Sequence, residues 1–547
     1  MGTTALETQT TDNDPDATTS GDRSARPLPP VMARLLSGSF WLALRTPLQA
    51  IFAFWSIPLI VGTFGQDFFG AYGFAWGFGF TQFLLEFGMS SALQRQVSDC
   101  WTRGDREGVD RAIACGTSFY AVMALAQIGV LLGVAYFALP QTDFTGRPYR
   151  LIVQLLWLQA LTAPFYGISV IASSVLQAAR RYDYLPRFEL AIVVLRFGVL
   201  WAGVHAGASF LAIVAAQLVV QIVLSIGPAI WVMVRELNYI PRFRKVRLGD
   251  FRSLMQIRFY LFLIQLSIVL ADKIDTTVLG FALANPEKAI AEYSVVSKPF
   301  TQIRQMGWTL AFLVMPAVAS LVAARDDAGL DRIKYDGARL HIALILPVGF
   351  LAWIYAAPFL ELWIGRDFPG QIPHLAYLLR LFLVATIPLL LSVHTQMAIG
   401  IGRVAVIGLA ALGGAVVNVG LSYALTLRLG VSGVIWGTVL TTLFSNLLVP
   451  GAYAFRVLGV RVSTLVQRTL TAPAAGALAL LLATWGLRAI WSAEPAIGAD
   501  PLSRSIPLLV HLSIGCVAYV AGYLAVPVGR ADLTTLLGKL GRRKVSG

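Results

Sequence analysis

A chain of 547 residues that is 57% apolar and only 13% charged, with a mean hydropathy of +0.70, differs strongly from soluble globular proteins. The composition predicts an integral membrane protein, and it leaves no soluble domain on which the net charge of +14 could form a nucleic-acid surface. Three cysteines without metal-ligand spacing or a pairing pattern argue against a zinc site and a disulfide framework. We therefore expect no metal, no cofactor and no nucleic-acid partner.

The chain begins with a polar stretch, residues 1–37, that is rich in Thr, Asp, Ser and Pro and lacks the apolar core of a signal peptide. We predict a disordered cytoplasmic tail there. After it come apolar runs of about 20 residues, the length needed to cross the hydrocarbon core. We predict about 14 such segments, at 39–61, 69–93, 112–139, 151–177, 188–206, 210–234, 256–283, 291–323, 338–363, 373–400, 404–427, 431–455, 467–491 and 505–528.

The distribution of Lys and Arg predicts the orientation. With the N-terminal tail inside, the inside loops carry far more Lys and Arg than the outside loops. Because basic residues near helix ends stay cytoplasmic, both termini are predicted to be cytoplasmic. All loops are short, so no catalytic domain is expected on either side of the membrane.

An internal repeat predicts two related lobes. Segment two begins AYGFAWGFGFTQF and segment eight EYSVVSKPFTQI, while Arg196 and Gly198 of segment five align with Asn418 and Gly420 of segment eleven. Both matches have the same six-segment offset and the same direction, as a parallel repeat requires. The fold class predicted is an all-α polytopic membrane protein with two pseudo-symmetric six-helix bundles plus two C-terminal helices. The predicted units are the first lobe at 38–236, a cytoplasmic linker at 237–255, the second lobe at 256–456, segments thirteen and fourteen at 457–530, and a basic cytoplasmic tail at 531–547.

Charged side chains are costly inside a membrane span, so those that occur there usually face a partner or a water-filled cavity. Helical spacing places Gln265, Asp272 and Asp275 on one stripe of segment seven, with Lys273 pointing away from it. The other candidates fall into three groups: the cations Arg45, Arg196, Lys298, Arg304 and Arg380; the carboxylate Glu86; and the uncharged Gln49, Gln82, Thr301, Gln302 and Gln305.

Two interpretations of these groups remain open. In the first, they only pair with one another between helices, for example Arg45 with Glu86. Lys298 would then pair with Asp272 or Asp275. In the second, they line a hydrated central cavity, where the cations bind an anionic cargo and the carboxylates couple transport to an ion. The cations outnumber the carboxylates and suit phosphate oxygens, so the second interpretation predicts a phosphate-bearing cargo.

Motifs for catalysis or nucleotide use are missing from the sequence. It contains no GxxxxGK[ST], HExxH or GxSxG pattern, and its five histidines lie in different segments without ligand spacing. We therefore predict no catalytic residues and a protein that is not an enzyme.

Three stretches of the chain carry a family resemblance. PLIVGTFGQDFFGAYGFAWGFGFTQFLLEFGMSSALQRQ resembles the first hairpin of bacterial polysaccharide flippases in the MATE-like multidrug/oligosaccharidyl-lipid/polysaccharide superfamily. Asp275 followed by VLG and AEYSVVSKP resembles their seventh segment, and VVNVGLSYALTLRLGVSGVIWGTVL resembles their eleventh-to-twelfth hairpin. The similarity covers about residues 38–456.

The resemblance implies a transporter that flips undecaprenyl-diphosphate-linked oligosaccharide repeat units across the bacterial cytoplasmic (inner) membrane by alternating access. The product would be a cell-surface polysaccharide such as lipopolysaccharide or exopolysaccharide. The implied partners are the lipid-linked oligosaccharide, the bilayer and the polysaccharide polymerase machinery. Alternatives within the superfamily are a flippase for the peptidoglycan-precursor lipid and a drug exporter, which takes cationic cargo. A membrane polysaccharide polymerase or glycosyltransferase is a further alternative, but such enzymes generally need a sizeable outside loop.

Overall fold

The structure is a computed structural model that describes residues 30–86, 88–181, 184–241, 259–491 and 501–535. The side chains of Gln265 and Asp272 lie outside the described residues. All regular elements within the described ranges are helices. The predicted all-α class is therefore confirmed.

Eight helices form the first half of the chain. Helix α1 already begins at Pro30, so residues 30–37, which we assigned to the tail, belong to a helix. Helix α5 continues as π and 3-10 turns to Gln141. The helices are α1 (Pro30–Phe64), α2 (Gln66–Gly77), α3 (Phe80–Glu86), α4 (Met89–Thr102), α5 (Arg106–Gly133), α6 (Gly146–Ala178), α7 (Tyr184–His205) and α8 (Phe210–Arg235).

The second half follows the same plan with more interruptions. A 3-10 turn at Ile387–Leu391, which contains Pro388, divides the tenth predicted segment, because proline removes a backbone donor. The helices are α9 (Phe259–Ala282), α10 (Pro286–Phe312), α11 (Val314–Ala323), α12 (Asp327–Arg332), α13 (Ala338–Ile354), α14 (Ala356–Ile364), α15 (Ile372–Val384), α16 (Ser392–Gly400), α17 (Ala405–Leu429), α18 (Val431–Thr442) and α19 (Val449–Leu458).

The C-terminal helices are the short α20 (Val462–Leu465) and the long pair α21 (Thr471–Ile490) and α22 (Pro501–Ala525). Helices α21 and α22 pack along each other and against α13 of the second half. Their shared core includes Leu351, Leu480 and Tyr519. The pair is thus attached to the second half.

The two halves use the same helix pairs. In the first half, α1 packs on α7, α4 packs on α6, and α7 packs on α8. The corresponding pairs of the second half are α9 with α17, α10 with α15, and α17 with α18. A helix cap recurs as well, because Asp105 and Asp326 each accept a hydrogen bond from the backbone N–H three residues later, at 2.8 Å. These shared features are consistent with a six-helix repeat.

Twelve helices within the described residues are long and apolar enough to cross a membrane. The second and seventh predicted segments are not among them. The second is divided into α2, α3 and α4, and the seventh, α9, carries Asp272, Lys273 and Asp275 within 24 residues. The predicted count of fourteen therefore stays a prediction.

The two halves meet at the end of the molecule where α1 ends and α2 begins, which we call the closed end. There the Trp363 indole donates to the Phe54 carbonyl at 2.8 Å, and the Gln66 amide donates to the Asp367 carbonyl at 2.7 Å. Gly70 of α2 lies against α10 so closely that a Cβ would be 1.8 Å from the Glu287 carbonyl oxygen. Only glycine permits this approach.

The opposite end, where α4 ends and α5 begins, we call the basic end. Arg95, Arg103, Arg106 and Arg111 lie on or near this connection. The chain after α8 is fastened there, because the Tyr239 hydroxyl donates to Asp110 at 2.6 Å. Burial and this bond to a carboxylate raise the pKa of Tyr239.

Candidate functional site

Two lysines of the second half lie on the neighbouring helices α9 and α10, and the first of them is close to the residue at which α2 ends. Gly77, the last residue of α2, is so close to α9 that a Cβ would lie 2.5 Å from Thr276 Oγ1 and 3.8 Å from the Lys273 carbonyl oxygen. Lys298 lies on the neighbouring helix α10, and the two ammonium charges are near enough to repel each other. Both side chains are solvent-accessible.

The Lys298 side chain is accessible and lies between buried residues of α10 such as Val296 and Pro299. Lys273 is accessible whereas Asp275 of the same helix is buried, and the prediction that Lys273 points away from the polar stripe of its helix stays a prediction, because the side chains of Gln265 and Asp272 lie outside the described residues. The alternative in which Lys298 pairs with Asp275 is not realised, because the Asp275 carboxylate bonds to other side chains.

Arg45 of α1 forms an ion pair with Glu189 of α7. The interpretation in which it pairs with Glu86 is therefore wrong. The reason is the packing of α1 along α7, which places Glu189 and not Glu86 within reach of the guanidinium. The side chains of Arg45 and Glu189 are 29% and 48% accessible, so the pair is partly hydrated.

Glu86 is bound by two tyrosines. Tyr120 of α5 donates to its Oε1 at 3.0 Å and Tyr166 of α6 donates to its Oε2 at 2.8 Å, while the backbone N–H of Ser90 adds a third bond at 3.2 Å. The carboxyl group is 6% exposed. This arrangement joins three helices of the first half through one buried acid.

Arg196 of α7 is held by α8. Its Nη1 donates to Gln221 at 2.8 Å, and the Gln217 amide donates to its backbone carbonyl at 2.9 Å. The two glutamines lie one helical turn apart on α8. Arg196 therefore lies within the first half with its guanidinium bonded to a neutral amide.

The remaining predicted cations lie on the second half. The Arg304 guanidinium is 5.4 Å from the centre of the Phe300 ring. Arg380 Nε donates to the Trp353 carbonyl of α13 at 3.1 Å. Among the contacts of the described residues, neither joins Arg45 or Arg196, so the five predicted cations do not form one cluster.

Asp275 lies at the centre of a polar core in the second half. Its Oδ2 accepts hydrogen bonds from Tyr293 of α10 at 2.8 Å and from Thr438 of α18 at 3.0 Å. One turn further along α18, Thr441 donates to Asn418 of α17 at 3.1 Å. Asp275 is 1% exposed, so the hydroxyl groups of Tyr293 and Thr438 replace part of its hydration.

The uncharged candidates have mixed surroundings. Gln49 and Gln305 are exposed, and Gln82 and Gln302 are half-buried. The Thr301 hydroxyl donates to the Ser297 carbonyl of its own helix at 2.7 Å. The predicted stripe of Gln265 and Asp272 lies outside the described residues.

A second polar cluster, which the sequence analysis did not identify, joins α13 to the chain after α22. Arg339 donates to Asp532 at 2.8 Å and to Asp336 at 3.0 Å. Arg468 also donates to Asp336, and Tyr523 donates to Asp532. Residues 193 positions apart form this cluster, so helical spacing could not have identified it.

The proteins that resemble this chain include one curated relative and several solved structures. The uncharacterized membrane protein EpsK of Bacillus subtilis (strain 168) is 25% identical over 358 residues, which are 60% of this chain and 66% of that protein. The chain thus spans just under two thirds of that relative.

The solved structures share the architecture at low identity. The lipid II flippase MurJ in an inward closed conformation matches with a TM-score of 0.66 and 14% identity, covering 88% of this chain and 98% of that one. An inward-facing multidrug resistance MATE family transporter of the MOP superfamily matches with a TM-score of 0.60 and 15% identity, covering 78% and 99%. At these identities the similarity establishes the fold alone.

The family model described as polysaccharide biosynthesis protein matches residues 35–322, more than half of the chain. The matched region contains the whole first half and the Asp275 and Lys298 helices of the second. The match confirms the predicted resemblance to a polysaccharide family, and the fold is the one that the MurJ and MATE structures share. The chain belongs to the polysaccharide biosynthesis protein family.

Proposed function

We propose that the chain flips undecaprenyl-diphosphate-linked oligosaccharide repeat units across the bacterial cytoplasmic membrane, from the cytoplasmic to the outer leaflet. The observation that carries the proposal is the arrangement of two similar halves that meet at the closed end. The accessible Lys273 and Lys298 lie on α9 and α10, the two helices of the second half that α2 contacts. An amphipathic lipid whose headgroup is an anion needs such a site, because an unpaired charge at membrane depth is costly.

The closed end would face the outside and the basic end the cytoplasm. The excess of Lys and Arg at the basic end supports this orientation by the positive-inside rule. The cargo would then enter from the cytoplasm and leave after the closed end has parted. Rocking of two bundles about a site near the middle of the membrane is the general scheme for such repeats.

The carboxylates have a supporting role in this proposal. The bonds of Glu86 and Asp275 to hydroxyl groups support an anchoring function for both. Ion coupling through Asp275 stays a second hypothesis, because a carboxylate among oxygen ligands is also chemically suited to a proton or a monovalent cation. Transport that is indifferent to both the proton and the sodium gradient would exclude coupling.

The cargo can be tested in a strain that lacks this protein. We expect lipid-linked repeat units to accumulate inside the cell and surface polysaccharide to be lost, with recovery when the chain is restored. A polymerase would instead leave unpolymerised glycan outside. Arrested peptidoglycan synthesis with normal surface polysaccharide would indicate the peptidoglycan-precursor lipid, and dye efflux would indicate a drug exporter.

A further inference from the structure

Two connections at the basic end are built alike, and we call each of them a corner. The first corner joins α4 to α5, and the second joins α11 to α12. Both contain an Asp that is followed three, five and six residues later by Gly, Asp and Arg. These residues are Asp105, Gly108, Asp110 and Arg111 in the first corner, and Asp326, Gly329, Asp331 and Arg332 in the second.

The likeness of the corners extends to their backbone. The residue before the first Asp has a positive φ in both, 73° at Gly104 and 55° at Arg325, although this conformation is uncommon for a residue other than glycine. The glycine of each corner lies against the carboxylate that caps the next helix. A Cβ on Gly108 would be 2.3 Å, and one on Gly329 2.6 Å, from an oxygen of that carboxylate. The two corners therefore share one backbone geometry.

The spans that end in the corners are equivalent in the repeat, and they touch each other at the closed end. Helices α2 and α4 belong to one span and α10 and α11 to the other, and Gly70 of α2 meets Glu287 of α10. Parallel repeats are related by an axis along the membrane normal, so both spans lie beside that axis where they touch. Toward the basic end, α4 packs on α5 and α6, and α11 packs on α12 and α16. The corners thus end the two central spans, each within its own half.

One exposed position differs between the corners in the sign of its charge. Arg106 and Asp327 each follow the capping Asp, so they are equivalent in the repeat, and both side chains are exposed. Within the described residues neither has an ion pair. The Arg106 guanidinium stacks on the Trp101 ring at 4.1 Å, which leaves its N–H edge for a carboxylate. Equivalent positions near a two-fold axis approach each other, and opposite charges there attract.

From this placement, we infer that the two corners dock on each other when the closed end parts, with Arg106 bound to Asp327. Each corner is thus an interaction surface for its counterpart in the other half, and their contact closes the cytoplasmic side while the cargo leaves on the outside. An identical repeat would bring like charges together, so the change from Arg to Asp makes the contact favourable. The inference rests on the alternation between two states in the proposed function, and it is independent of which lipid is carried.

The test is a distance measurement between spin labels on the full chain in lipid nanodiscs, after the three native cysteines have been replaced. Labels at Thr102 and Ala323, the equivalent exposed residues at which α4 and α11 end, report on the basic end. Labels at Thr63 and Arg366, which are also exposed, report on the closed end. Gly70→Val should lengthen the distance at the closed end, because its side chain would overlap the backbone of α10. The distance at the basic end should shorten in the same variant.

Exchange of the two charges identifies the pair. In the Gly70→Val background, Asp327→Arg should reduce the population with the short basic-end distance about fivefold, the effect of about 1 kcal/mol, because two arginines then face each other. Adding Arg106→Asp should restore that population. Asp327→Arg combined with Arg111→Asp is the matched control, since Arg111 is an exposed arginine five residues further along α5, and it should give no recovery.

The outcomes distinguish the contact from the function. A basic-end distance that stays unchanged while the closed-end distance lengthens would overturn the docking of the corners and leave the flippase proposal standing. Recovery with Arg111→Asp as complete as with Arg106→Asp would overturn the assigned pair. In the otherwise unaltered chain, Asp327→Arg should lower the amount of surface polysaccharide and the exchange should restore it, so normal export in Asp327→Arg would also overturn the contact. The proposed function itself fails only if a strain without the protein accumulates no lipid-linked repeat units.

Discussion

At the scale of single residues, partners decide what a charge inside the membrane can do. Arg45 and Lys298 look alike in the sequence, as cations within apolar runs. In the fold, Arg45 is neutralised by Glu189 of a neighbouring helix, while Lys298 faces Lys273. The first arrangement stabilises contacts within one half, and the second leaves charge available to a ligand.

Exchanging the charges of Arg45 and Glu189 tests their pairing. Arg45→Glu alone should lower the melting temperature and reduce export, because two carboxylates then face each other. Adding Glu189→Arg should restore most of both properties. The pair is partly accessible, so its coupling should be about 1 kcal/mol or less. Combining Arg45→Glu with Glu86→Arg, the pairing that the sequence suggested, should give no recovery, and recovery there would contradict the observed pair.

The tyrosines around Glu86 allow a second residue-scale prediction. Tyr120→Phe and Tyr166→Phe should each destabilise the protein by about 1.5–3 kcal/mol, because a buried carboxylate loses one hydrogen bond. The effect can be followed by thermal unfolding in detergent. Tyr149→Phe is a control on a half-buried tyrosine for which the described structure shows no hydroxyl bond, and it should change little.

At the scale of elements, the important contact is between α2 and the pair α9 and α10. Helices α2 and α10 approach so closely at Gly70 that backbone touches backbone, and Gly77 allows a similar approach to α9. Between these points the Phe74 ring of α2 packs against Gly280 of α9, so opening of the closed end would withdraw one aromatic side chain as well as separate the two glycine contacts.

Gly70→Val should prevent the closed end from closing, because its Cβ would overlap the Glu287 carbonyl. The measurement is disulfide crosslinking between cysteines placed at Gln66 and Asp367, which is expected to be efficient in the parent protein and weak in the variant. Gly198→Val is the matched control, since Gly198 is a helical glycine with open space around it. Undiminished crosslinking in Gly70→Val would show that the contact is dispensable.

The closed end should also respond to pH. Burial raises the pKa of Asp367, and Arg366 only partly offsets the effect. Because the folded pKa lies above the ordinary value, the charged form disfavours the closed arrangement, and closure strengthens as pH falls through the raised pKa. Asp367→Asn should keep the end closed and remove this pH dependence. Two cysteine pairs can be crosslinked across a range of pH. The pair at Phe64 and Phe210 reports on the first half alone, and the pair at Phe54 and Phe359 reports on the contact between the halves.

At the scale of the whole molecule, Arg339 determines how the C-terminal helices are attached. It is 4% exposed and joins α13 to Asp532 beyond α22. Arg339→Ala should cost about 3 kcal/mol, because it leaves the largely buried Asp532 carboxylate without its cation, while Asp336 keeps Arg468. Arg339→Met combined with Asp532→Leu should recover part of this loss in thermal unfolding. Arg332→Ala, at an exposed arginine of the preceding helix, should be nearly neutral.

The sequence alone was sufficient for the class and the family resemblance, because each depends on local or periodic properties. Apolar length identifies a span wherever its neighbours lie, and the family pattern follows chain order. The same local information identified Glu86, Asp275 and Lys298 as unusual. It could not assign their partners, because Tyr166 lies 80 residues from Glu86 and Thr438 lies 163 residues from Asp275.

Only the tertiary structure decided which charges are neutralised and which are accessible. Helical spacing set Lys273 apart from the polar stripe of its own helix, but it could not indicate how the neighbouring helix α10 packs beside that lysine. The packing of α1 on α7 likewise gave Arg45 a partner that spacing could not indicate. The physical reason is that periodicity defines a face of one helix, whereas electrostatic energy depends on distances between helices, and packing determines those distances.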